Sequence, residues 1–196
     1  MTRLHDVRGF TLLEVLLVAA LIVIVSAMAL PAFTTSTAQI KLSSAARQVE
    51  RELQSARMKA VRADRVIRVR FNCPSAGKYR MVEMIGSPFA LATDDLDARA
   101  VTRCGMTAYP YPDMDTEFFA IPNNDGPLQQ LPNGVAFNAV QTVQFYPDGS
   151  ATSSTGVNLG TEGITLSLYD STKGWSSGPM YRRSITVNGL GKVTLQ

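Results

Sequence analysis

Residues 8–33 read RGFTLLEVLLVAALIVIVSAMALPAF, and from Val15 to Ile40 no residue is charged. Beyond that run the pattern changes without breaking. Leu42, Ala45, Ala46, Val49, Leu53, Ala56 and Ala60 recur at steps that trace one helical face. Lys41, Arg47, Glu50, Arg51, Glu52, Arg57 and Lys59 fall on the other faces. The pattern predicts one long helix, from about Phe10 to Asp64, apolar all round in its first half and striped in its second. Pro31 removes one helical hydrogen bond, so it is expected to kink or locally melt the helix.

After Asp64 the period shortens to two. Residues 66–71 (VIRVRF) alternate and are rich in β-branched side chains, which predicts a strand, and residues 78–85 (KYRMVEMI) predict a second. The stretch from Gly86 to Pro132 holds much of the proline and acidic charge and is expected to be long loops with short strands. Further strands are predicted at 142–146, 164–169, 183–187 and 192–195. Pro147-Asp148-Gly149 is a turn in which Pro presets φ, Asp bonds its own backbone and Gly takes φ > 0. Asn188-Gly189-Leu190-Gly191 is expected to close a hairpin. The fold class is therefore α+β: a long N-terminal helix packed on an antiparallel β head.

Composition narrows the chemistry. The chain has 196 residues and a net charge of +3, enough for one domain beyond the apolar stretch and only mildly basic. The sole histidine is His5, near the N-terminus. No phosphate-binding glycine loop is present. An enzyme is not expected, nor a cofactor or a metal. Cys73 and Cys104 are the only cysteines, and export of the region containing them would make them a natural disulfide pair.

Three readings compete for the first 33 residues. A secretory signal would use Arg3 and Arg8 as its basic region and Ala27-Met28-Ala29 as its cleavage site, but the apolar run is too long and Glu14 interrupts its start. A plain anchor is long enough: at about 1.5 Å per residue the run crosses roughly 30 Å of hydrocarbon. Arg3 and Arg8 then keep the N-terminus in the cytoplasm and put the rest outside. Neither reading explains Glu14. A carboxylate in an apolar span is a functional hypothesis whose partner must be named.

Gly9-Phe10-Thr11-Leu12-Leu13-Glu14 resembles the processing site of type IV prepilins and pseudopilins. The resemblance implies cleavage after Gly9 and methylation of the new N-terminus at Phe10 by a dedicated prepilin peptidase. Glu14 then stands fifth and Pro31 twenty-second in the mature chain, where pilins carry a glutamate and often a helix-kinking proline. It also implies that Glu14 of one subunit pairs with the Phe10 amine of a neighbour during assembly, so that Glu14 sets register. The expected organisation is a cleaved leader at 1–9, a transmembrane and assembly helix at 10–33, its amphipathic continuation at 34–65 and a globular β head at 66–196.

The basic helix-to-strand junction (LQSARMKAVRADRVIRVRF), the Phe-Tyr-Pro-Asp-Gly turn and the closing Ile-Thr-Val-x-Gly-x-Gly-Lys-Val hairpin look like those of the GspH/FimT/FimU minor pilins. That likeness implies a head of two small sheets in a β-sandwich-like arrangement. It implies a structural subunit at or near the tip of a type IV pilus or type II secretion pseudopilus. The implied partners are major and minor pilins, the prepilin peptidase and an inner-membrane assembly platform. The implied location is the bacterial inner membrane, crossed once with the head in the periplasm, and then the filament.

Two sharper chemistries are weaker. Asp113, Asp115 and Glu117 alternate as in a calcium loop, but Phe118 stands where an EF-hand needs Gly, so solvated loop charge is the better reading. Arg57, Lys59, Arg62, Arg65, Arg68 and Arg70 form a basic run, and Arg68 and Arg70 share a strand face. Some relatives bind DNA during uptake, so these two arginines are the candidates for phosphate contact in a DNA-binding alternative. A membrane-anchored binding protein outside any filament is the third possibility.

Overall fold

A computed structural model describes residues 11–84, 124–138, 140–154 and 156–196, with the side chains of 28–32 outside the description. The chain divides into two compact units, Met1–Ala38 and Gln39–Gln196.

The helix α1 runs Leu12–Ala63, close to the expected 10–64. It is assigned without interruption through residue 31, whose side chain lies outside the described residues. The polar run at 34–37 does not break it: the Thr37 hydroxyl donates to the Phe33 carbonyl at 2.9 Å, one turn back, and so finds a partner within the helix. Helix α1 ends where Asp64 adopts φ 52.

Among the described residues of the second unit nine strands follow: β1 Ile67–Phe71, β2 Lys78–Glu83, β3 Gln129–Gln130, β4 Val135–Phe137, β5 Val143–Phe145, β6 Ala151–Ser153, β7 Ile164–Asp170, β8 Arg182–Val187 and β9 Val193–Leu195. Two short 3-10 turns, Trp175–Ser177 and Pro179–Tyr181, lie between β7 and β8. The strands form two antiparallel sheets, in the orders β3-β2-β1-β5-β6 and β4-β7-β8-β9.

Alternation decides what each strand buries. Ile67 and Val69 of β1, Tyr79 and Met81 of β2, and Val143 and Phe145 of β5 enter one apolar cluster. Phe137, Leu166, Leu168, Ile185 and Val187 of the second sheet enter the same cluster. The helical stripe, in which Leu42, Ala45, Ala46, Val49, Leu53, Ala56 and Ala60 are each 0–1% exposed, completes it with all of these but Ala46. Four of these seven are alanines, which let the helix backbone approach the sheets closely. Phe71, Tyr79 and Phe137 meet at ring-centroid distances of 5.1–6.1 Å and close one end of the cluster.

Removing side chain from this stripe leaves a cavity that the facing sheets can only partly fill. Leu53→Ala is expected to cost about 2–5 kcal/mol in denaturant unfolding. Met58→Ala, on an exposed face of the same helix, is expected to stay within about 0.5 kcal/mol of the parent.

Candidate functional site

The start of α1 has a cap. The Glu14 N–H meets the Thr11 hydroxyl at 3.2 Å and the Thr11 carbonyl at 3.1 Å. Thr11-Leu12-Leu13-Glu14 has the spacing of a capping box, a signal present in the sequence and missed in its reading. Glu14 is exposed, in the first turn, where the helix dipole favours a negative charge. Its carboxylate therefore stands at a defined position in the first turn of α1. Gly9 and Phe10 lie outside the described residues.

Every described side chain from 11 to 27 is exposed, including Leu12, Leu16, Leu21, Ile22, Val23 and Val25 at 53–79%. An apolar surface of this extent signals contact with lipid or another chain. Among the described residues no helix is long and apolar enough to cross a membrane. The described side chains of the apolar run stop at residue 27, sixteen residues into the helix, whereas the uncharged run in the sequence continues to Ile40.

The basic run at 57–70 is dispersed. Arg57 clamps two turns: its Nε donates to the Gly149 carbonyl at 3.0 Å and its Nη2 to the Leu190 carbonyl at 3.1 Å. These carbonyls belong to the Pro-Asp-Gly turn and the β8–β9 hairpin, so the two turn motifs of the sequence meet at one guanidinium. Gly191 makes the contact possible, since at its φ of 70 a Cβ would sit 2.2 Å from the Gly149 carbonyl oxygen. Asp148 accepts from the Ser150 N–H at 2.9 Å and from its hydroxyl, and these bonds hold the Asp148 carboxyl below its ordinary pKa. Nothing in the sequence pattern singled out Arg57 from its basic neighbours.

Arg68 is only 2% exposed and Arg70 is half-buried. Of the expected phosphate-contacting pair, Arg68 sits on a central strand between Val82 and Gln144, both buried like itself. The strand alternation was right, but the face away from the helix is covered too.

Lys59, Arg65 and Arg80 serve a polar clasp at the far end of β2. Asp125 Oδ1 accepts the Glu83 N–H at 2.6 Å, while Glu83 Oε2 accepts the Asn124 N–H at 2.9 Å and its side-chain amide at 3.0 Å. Arg65 pairs with Glu83 at 3.6 Å, Lys59 donates to the Asp125 carbonyl at 3.2 Å, and Arg80 to the Gly126 carbonyl at 2.7 Å. Burial lowers the Lys59 pKa, and the negative charges of Asp125, Glu52 and Glu83 oppose that shift. Glu52 is raised by burial, with Lys59 opposing, and its Oε1 has no hydrogen-bond partner among the described residues. Tyr79, buried beside Gln48 and Glu52, is pushed well above its ordinary value, chiefly by burial and then by the Glu52 charge.

Cys73 is disulfide-bonded, and Cys104 lies outside the described residues, as do Asp113, Asp115 and Glu117. Among the described residues no group of three or more His, Cys, Asp or Glu could hold a metal ion.

Residues 4–30 match the prokaryotic N-terminal methylation motif. The match is confined to the start of the chain. No curated protein sequence matches it. Solved structures similar to the chain include the minor pseudopilin EpsH of the type 2 secretion system of Vibrio cholerae, at 13% identity and a TM-score of 0.46, covering 80% of this chain and 96% of that one. The type IV minor pilin FimU of Pseudomonas aeruginosa is another, at 16% identity and 0.45, covering 79% and 87%. Likenesses of this size do not by themselves identify the subunit or its machine.

Two outcomes test the site's energetics. Arg57→Met is expected to lower head stability by about 3 kcal/mol, because two carbonyls lose a charged donor, and Gly191→Ala is expected to loosen the same contact. A Glu52 pKa above the ordinary 4.5 means that its contribution is fullest below that value and is lost as pH rises through the folded one. Glu52→Gln is therefore expected to be more stable than the parent near about pH 7, with the difference closing in acid, in denaturant melts across pH. A less stable Gln variant at neutral pH would contradict the sign.

Proposed function

We propose that the chain is a minor pilin or pseudopilin, a structural subunit of a type IV pilus or type II secretion pseudopilus and not an enzyme. The observation that carries this reading is the methylation motif at 4–30, leading into a helix whose described apolar side chains to residue 27 are exposed. In this reading the leader is cut after Gly9, Phe10 is methylated by the prepilin peptidase, and residues 10–33 anchor the chain in the inner membrane. The head lies in the periplasm, with Cys73 paired to Cys104. Other pilins and the assembly platform then draw the subunit into a filament, near its tip.

The chemistry of docking follows from charge. A lone carboxylate in hydrocarbon is costly, and an opposite charge that meets it there offsets the cost. Glu14 of one subunit meets the Phe10 amine of its neighbour, which fixes axial register. Burial of Arg68 weighs against DNA capture through the pair Arg68 and Arg70. Glu14 and the motif around it, which a plain anchor does not need, weigh against a membrane-anchored binding protein outside any filament.

Glu14→Ala is expected to leave the protein membrane-inserted but to reduce its recovery in sheared filament fractions at least tenfold. Equal recovery of parent and variant would remove Glu14 from assembly.

A further inference from the structure

Three basic side chains in the second unit converge on a feature that the docking chemistry above does not use. Arg47 and Arg51 of α1 and Arg183 of β8 line a groove of about 510 Å³, together with Gln39, Ser43 and Ser44. Along the helix these positions are four apart, so they form one stripe distinct from the buried one. Gln39 and Ile40 at its head are the last residues of the uncharged run in the sequence.

The β7–β8 hairpin fixes what lies beside this groove. Arg183 pairs with Leu168 and Arg182 with Tyr169, just before the connection 171–181. At the opposite end of β8, the Leu190 carbonyl meets Arg57. Strand β8 therefore runs alongside α1 from the level of Arg47 and Arg51 to that of Arg57, and the connection 171–181 lies toward the Gln39 end. That connection carries Trp175 at 37% and Met180 at 53% exposure. Trp175 is held rigidly: Tyr169 meets it edge-on at 5.9 Å, the Arg182 guanidinium lies 4.2 Å over its ring, and Arg182 Nη2 donates to its carbonyl. Lys173 beside it is exposed. The acid at the mouth of the hairpin, Asp170, is buried and accepts from the Thr172 N–H and hydroxyl.

A fixed, exposed tryptophan with a neighbouring thioether and a cluster of guanidiniums is the composition of a membrane–water interface. Arginine suits phosphate because its planar fork binds two oxygens at once. We propose that this end of the head, Arg47, Arg51 and Arg183 with Trp175, docks on the phosphate headgroups of anionic phospholipid while the subunit waits in the membrane. The proposal rests on the anchor reading, because it is the anchor that brings Gln39 to the bilayer surface.

Trp175 is the only tryptophan in the chain and reports its own surroundings. The full-length protein is reconstituted into phosphatidylcholine vesicles with and without phosphatidylglycerol, some carrying lipids brominated near the headgroup. The expected result is a blue-shifted Trp175 emission, quenched by the brominated lipid, only in the anionic vesicles. Arg47→Gln with Arg51→Gln and Arg183→Gln is expected to remove the quenching. Each basic residue contributes roughly fivefold to partitioning, so the loss is on the order of a hundredfold. Circular dichroism of the triple variant shows that it remains folded.

Protein that floats with both vesicles while Trp175 stays unquenched overturns the docking and leaves the anchor standing. Protein that floats with neither overturns the anchor and this proposal with it. If quenching is absent and the triple variant instead fails to enter filaments, the groove serves a protein carboxylate and the lipid assignment is wrong.

Discussion

Burial of one helical stripe, Leu42 to Ala60, is the interaction on which the second unit depends. Six of its side chains, with almost no exposure, join the inner faces of both sheets into one cluster. Neither sheet is large: the two contain five and four strands, several only two or three residues long. Strands that short do not hold a head without a common apolar partner. The same helix carries a different surface in residues 11–27, exposed throughout and apolar but for Thr11, Glu14 and Ser26, so one continuous element serves two environments.

Polar groups then set the details. The Arg57 guanidinium ties the Pro-Asp-Gly turn to the β8–β9 hairpin, and the Glu83–Asp125 clasp returns the chain to the edge of β2 at Asn124. Both devices use half-buried or buried charge satisfied by backbone carbonyls and amides, where a charged hydrogen bond contributes more than it does in water. They draw part of the basic run at the helix-to-strand junction into the fold. Arg57, Lys59 and Arg65 each have an assigned partner within the fold.

Much of this was legible in the sequence. The three-and-four spacing gave the buried stripe residue for residue, and the shift to a period of two marked β1, β2, β5, β7, β8 and β9 within two residues at each end. The strands at 135–137 and 151–153 escaped, being too short for alternation to register, and that at 129–130 was expected only as one of the short strands among loops. The burial of Arg68 was not legible for a different reason. Alternation tells which residues share a face, but not whether that face is covered by segments distant in the sequence. Arg57 was invisible as a clamp because its partners are carbonyls 92 and 133 residues away, which carry no side-chain signature.

The central claim is that the chain is processed as a prepilin, and the intact mass and N-terminal peptide of the protein from its native membranes test it most directly. The account predicts a chain that begins at N-methylated Phe10, with the mass of residues 10–196 plus one methyl group. A chain beginning at Leu30, or one that retains Met1 or Thr2, would contradict it and leave Glu14 without a partner.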